Sequence, residues 1–280
     1  MLEAGFAEIA ITPPVGTHIV GYLIDVVSSK VLDPLFARVA VFEAEYGLVT
    51  DTQALREDRP EAEPHGYCQF QQKIPGDMLM SAADATMLVT LKETASIIAN
   101  MKVTIGTRMA ILGSGSVALG MCRFAKVMGA APVIVVGRRE APPAYIRKIG
   151  ADFTVDVKSE DMVEAVRDIT EGRGLDFVLD TSGDVELVKR SVACLTPEGK
   201  VVPYAMYRTR EEVKENVEPS RLMVMGPREV TTHEYLLNAV RLGLVNLAEF
   251  YSHRMPLSAV TEAFDLLKKK AAFKVVLETD

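Results

Sequence analysis

The 280-residue sequence contains no tryptophan, only three cysteines and four histidines, and aromatic residues make up 6% of it. Cys68, Cys122 and Cys194 are far apart and odd in number. That suits small buried apolar side chains in a reducing compartment better than a disulfide framework. No run approaches the roughly eighteen apolar residues needed to cross a bilayer. The start, Met1-Leu2-Glu3-Ala4-Gly5, has no cationic segment ahead of an apolar one, so no secretory signal is expected and the cytoplasm is the expected location. Excess positive charge is also missing. A net charge of −7 repels phosphate polymers and argues against nucleic acid as a partner.

What is present is apolar and periodic. Apolar residues make up 49% and charged residues 25%, the balance of a globular protein, and the length suggests about two domains. Residues 6–11 and 35–42 read as short strands, while 51–64 is charged, proline-containing and linker-like. Helical spacing of Met87, Leu88, Leu91, Ala95 and Ile98 predicts a helix over 82–101. Apolar strands at 109–112, 133–136, 153–155, 177–179 and 200–204 then alternate with helical stretches at 117–128, 143–149, 161–170 and 185–194. Such alternation predicts an α/β fold with a doubly wound parallel sheet, and near-continuous apolar strands are those of a sheet covered on both faces. Thr231 and Glu234 have the spacing of a capping box at a further helix start. A last helix over 258–270 and a strand over 273–277 end the chain, with Lys268 to Lys270 complementing the helix dipole.

The strongest chemical signal is Gly113-Ser114-Gly115-Ser116-Val117-Ala118, placed directly between an apolar strand and an apolar helix. In that context Gly113 permits a tight turn, Gly115 lets backbone approach a pyrophosphate, and Ala118 keeps the helix close to the sheet. The first-turn N–H groups then face the anion. Where the next strand ends, a carboxylate would hold the adenosine ribose of NAD(H); this chain has Gly137, then Arg138 and Arg139. Glycine leaves space for a 2′-phosphate and a guanidinium can pair with it, so NADP(H) is favoured over NAD(H). The alternative is a solvated basic loop.

From about residue 65 onward the chain resembles the medium-chain dehydrogenase/reductase family, which includes the zinc-type alcohol dehydrogenases and quinone reductases. The resemblance is carried by Ile74-Pro75, the Gly113 to Gly120 segment, Ala125 to Ala130, Ile149 to Asp152, Leu175 to Gly183, Leu195 to Gly199 and His253 to Leu257, in that order. It implies a six-stranded Rossmann domain, with Thr181 and Ser182 near the cofactor. The first 43 residues resemble the start of the neutral/alkaline ceramidase family through Ala7 to Gly16, Gly21-Tyr22 and Leu32 to Arg38, ahead of any catalytic residue of that family. The expected organisation is a small, truncated β-rich region and linker over 1–80, the Rossmann domain over 81–250, and a C-terminal helix and strand over 251–280 returning to the N-terminal region.

The zinc-dependent members take metal ligands from a GroES-like catalytic domain, of which no sign is visible here. A catalytic zinc needs about three protein ligands. The histidines are His18, His65, His233 and His253, and His65 with Cys68 offers two ligands at most, so no metal is expected. The expected function is an NADP(H)-dependent oxidoreductase acting on a small-molecule carbonyl or alcohol. The alternatives are a non-catalytic NADP(H)-binding module and, on the leader alone, a lipid-amide hydrolase. Tyr204, Tyr207, His253 and Arg254 are the candidate catalytic groups, and a homo-oligomer is expected, as is common in the family.

Overall fold

A computed structural model describes residues 74–78, 80–138, 142–205, 207, 212–226 and 229–278, together with the backbone of four strands among the first 50 residues. Of these, β1 (Glu3–Ala10) pairs antiparallel with β4 (Phe36–Glu43), and β2 (His18–Ile19) pairs with β3 (Val26–Val27).

Helix α1 (Ala82–Asn100) begins where Ser81 caps it, its hydroxyl accepting from Asp84 N–H and donating to the Asp84 carboxylate. Five parallel strands follow: β5 (Met109–Leu112), β6 (Val133–Gly137), β7 (Phe153–Asp156), β8 (Leu175–Asp180) and β9 (Leu195–Pro203). They lie in the order β7-β6-β5-β8-β9. Connecting them are α2 (Ser116–Val127), α3 (Pro143–Ile149), α4 (Met162–Ile169) and α5 (Val185–Ser191).

The two-residue period of a strand explains the apolar runs. Met109 and Ile111, Val133 and Val135, Leu179 and Val202 join one core with α1 and α2. Their neighbours Ala110, Leu112, Ile134, Val136, Val178 and Val201 join a second core with α4 and α5 on the opposite face.

Three details depart from the sequence reading. The sheet has five strands among the described residues, not six. The sixth position is reduced to one parallel bridge between Leu222 and Val201, because the chain arrives through a Pro219–Arg221 3₁₀ turn and side chains take the nearby carbonyls. Arg221 bonds Thr196 O at 2.6 Å and Lys200 bonds Ser220 O at 2.6 Å. Helix α6 (Glu229–Arg241) starts ahead of Thr231, so Thr231 is not its cap. Packing sets that start: Thr232 donates to Lys92 O of α1, and Leu236 and Leu237 are buried in the first core. The helical stretch to residue 194 tightens into a 3₁₀ turn, Val192–Cys194, and β9 begins at once.

The chain ends in a small unit, β10 (His253–Pro256) and β11 (Val275–Glu278) paired in parallel across α7 (Val260–Lys268). It is tied to α1 by Lys274 Nζ on Thr90 Oγ1 at 2.6 Å. No helix among the described residues is long and apolar enough to cross a membrane.

Phe124, fully buried on α2, and Phe264, 64% exposed on α7, give a matched test of the core. Phe124→Ala should cost about 3–5 kcal/mol, and Phe264→Ala no more than about 0.5 kcal/mol, in urea unfolding; equal shifts would contradict the packing. Burial also pushes the Cys122 thiol up to about 12 and the Cys194 thiol up to about 11. Both should therefore resist iodoacetamide at pH 8 in the native protein and react once it is unfolded, as mapped by peptide mass spectrometry.

Candidate functional site: the crevice at the sheet's switch point

The strand order reverses beside β5. Chain leaving β5 turns to α2 on one face, and chain leaving the adjacent β8 turns to α5 on the other, which opens a crevice beyond the carboxyl ends of those strands. Gly113 and Thr181 meet there. Thr181 donates to Leu112 O from both its N–H, at 2.9 Å, and its hydroxyl, at 2.7 Å. A Cβ on Gly113 would stand 2.5 Å from that hydroxyl, and its φ of +112° belongs to glycine, so the turn admits no side chain.

Gly115 caps α2 without a side-chain acceptor, and a Cβ there would meet nothing within 4 Å. The helix thus presents its first-turn N–H groups, from Ser116 and Val117, to open space. Ser114 beside it is only 4% exposed, and its Oγ has no hydrogen-bond partner. A buried hydroxyl left unpaired at a helix N-terminus fits a phosphate-bearing ligand that would supply the acceptor. Gly113, Ser114 and Gly115 with Gly137, Arg138, Thr181, Ser182 and Asp184 line a cavity of about 240 Å³, to which Ser116 and Val117 contribute no lining.

The far wall depends on a residue that motif reading overlooked. Asp180, at the end of β8, is wholly buried. Its carboxylate accepts from Ser182 N–H at 2.9 Å, Ser182 Oγ at 2.6 Å and Gly183 N–H at 3.1 Å, and from the Tyr207 hydroxyl. Four donors offset the cost of burying the charge and hold the Thr181–Asp184 loop. The only sequence signal was a carboxylate ending an otherwise apolar strand.

At the end of β6, Gly137 leaves the strand without a carboxylate, and Arg138 Nη2 pairs with Asp184 Oδ2 at 2.6 Å. Arg139 lies outside the described residues. Asp156, which ends β7 opposite Gly137, turns its carboxylate to the Lys158 N–H at 3.1 Å.

The candidate catalytic groups separate. Tyr204 and Tyr207 pack against opposite faces of the sheet, Tyr204 with the α1 core and Tyr207 with the α4/α5 core. Burial, then the Asp180 charge, drives the Tyr207 phenol far above its ordinary value, so it remains a protonated donor. Tyr204 follows β9, its N–H on Asp180 O at 3.0 Å, and its hydroxyl donates to Glu93 Oε1 of α1. Thr90, one turn earlier on α1, receives Lys274 Nζ. Burial lowers the Lys274 pKa, and the Glu93 charge opposes that shift. His253 and Arg254 lie in β10, where His253 Nδ1 is 2.9 Å from Ser252 Oγ and Arg254 forms a bidentate pair with Glu278.

Among the described residues, no three His, Cys, Asp or Glu side chains come together to hold a metal. His65 and Cys68 lie outside those residues.

Comparison with known proteins agrees with this fold. Residues 116–241 match the zinc-binding dehydrogenase family. The chain is 27% identical over 175 residues to D-arabitol-phosphate dehydrogenase of Enterococcus avium, covering 61% of this chain and 50% of that protein. It is 30% identical over 177 residues to L-threonine 3-dehydrogenase of Pyrococcus abyssi, covering 61% and 51%. It thus spans about half the length of the curated relatives it matches. Among solved structures, a zinc-dependent alcohol dehydrogenase of Streptococcus pneumonia superposes with a TM-score of 0.64 at 23% identity, covering 75% of this chain and 61% of that one. An alcohol dehydrogenase of Thermus sp. gives 0.62 at 20% identity, with coverages of 75% and 61%. Residues 116–241 are thus similar to the zinc-binding dehydrogenases, and the chain shares the parallel-sheet fold of the solved alcohol dehydrogenases.

Proposed function

We propose that the protein is an NADP(H)-dependent oxidoreductase that interconverts a carbonyl compound and its alcohol without catalytic zinc. The observation that carries this reading is the Gly113–Ser114–Gly115 turn at the switch-point crevice, with the unpartnered Ser114 hydroxyl and the uncapped start of α2. Dehydrogenase names among the relatives support the reaction class. Preference for the phosphorylated cofactor is supported by Gly137 and Arg138, since space and a guanidinium suit a 2′-phosphate.

When bound, the nicotinamide would supply or accept the hydride. In reduction, carbonyl, NADPH and one proton give alcohol and NADP⁺. The chain must orient the substrate and deliver that proton. Tyr204 is the group we assign to the proton: it lies at the carboxyl end of β9, in the nucleotide half of the sheet away from β6, and its hydroxyl is oriented by Glu93. Lys274, held on the same face of α1 by Thr90, places a cation near Glu93. Tyr207 instead holds Asp180, and Thr181 and Ser182 shape the mouth.

A cytoplasmic location is supported by the free, buried Cys122 and Cys194. A homo-oligomer is supported by β9, which among the described residues pairs on its outer side with no full strand.

NADPH should bind more tightly than NADH, measured by nicotinamide fluorescence. Arg138→Ala should weaken NADPH about tenfold or more while leaving NADH nearly unchanged; equal effects would remove the argument for the 2′-phosphate. In a screen of aldehydes, ketones, quinones and secondary alcohols, Tyr204→Phe should lower kcat roughly a hundredfold with NADPH affinity intact. A chain that binds NADPH and turns over nothing would instead be the non-catalytic binding module.

A further inference from the structure

The ion pair at the cavity mouth joins two loops that leave different strands. Arg138 follows β6, and Asp184 opens α5, with side chains 63% and 31% exposed. Asp184 cannot easily move aside. Its Oδ1 accepts the Leu187 N–H at 3.1 Å, capping α5, and its own N–H donates to Ser182 Oγ at 3.2 Å. Ser182 is in turn fixed by the buried Asp180. The carboxylate is therefore held at the mouth by the same network that shapes the crevice, whatever the ligand. Of the neighbouring cations, Arg190 is already paired with Asp161 at 3.0 Å.

We infer that Asp184 is a specificity-determining residue that opposes Arg138, reducing the preference for a 2′-phosphorylated dinucleotide. The inference rests on the NADP(H) reading above. A 2′-phosphate must share the Arg138 guanidinium with a carboxylate that repels it, whereas the 2′-hydroxyl of NAD(H) can donate to that carboxylate at no electrostatic cost. Arg138 alone would give a strong bias to NADP(H). Arg138 clamped by Asp184 gives a smaller one, so the site accepts both cofactors.

Asp184→Asn removes the charge and keeps a capping oxygen, since Asn caps a helix as well as Asp does. Dissociation constants for NADPH and NADH would be measured by nicotinamide fluorescence on the full chain for the wild type, Asp184→Asn and Arg138→Ala. Asp184→Ser, a second capping variant, guards against a fold-specific loss. The expected result is NADPH binding about five- to tenfold tighter in Asp184→Asn and NADH within twofold of wild type or weaker. If Arg138→Ala lowers the NADPH preference but both Asp184 variants leave it unchanged, the role of Asp184 is overturned while the cofactor reading stands. Should Arg138→Ala leave the preference unchanged as well, both fall.

Discussion

The buried Asp180 carboxylate is the constraint on which the crevice depends. It ends β8 with no exposure to solvent and gathers four donors, two from Ser182, one from Gly183 and one from Tyr207. A carboxylate in that position is tolerable only while those donors stay, so the loop that follows it has one conformation. Thr181 is thereby aimed at Leu112 and brought against Gly113, and Ser182 positions Asp184. Both walls of the cavity, the Gly113 turn and the Asp184 side, inherit their geometry from this charge.

The sheet divides the chemistry between its faces. The segment after β9 delivers Tyr204 to the α1 core and Tyr207 to the α4/α5 core. Their surroundings assign different work. Tyr207 faces the Asp180 charge in a buried setting and serves as a fixed donor. Tyr204 meets Glu93, with Lys274 nearby, in a half-buried cluster contributed by three separate elements, α1, the end of β9 and the segment leading into β11. The small C-terminal unit thus contributes a cation beside α1, while His253 and Arg254 are engaged with Ser252 and Glu278.

Much of this was legible along the chain. Apolar strands bounded by glycine and helix-forming stretches give the alternation, and the strand–turn–helix context gives the Gly113 turn its meaning, since the requirements there are local: a positive φ, room for backbone, and a free helix terminus. Element ends were less legible. Glu229 rather than Thr231 begins α6 because Thr232 and two buried leucines dock that helix on α1, and such docking outweighs the roughly 1 kcal/mol of a cap.

The sequence by itself determined the doubly wound sheet, the glycine turn between β5 and α2 and the absence of a carboxylate at Gly137, all properties of neighbouring residues. Only the tertiary structure decided what the charged and phenolic groups do. Arg138 meets Asp184 across 46 positions of chain, and Tyr204 meets Glu93 across 111. Electrostatic partners of that kind are chosen by how strands and helices stack, and no local pattern encodes them.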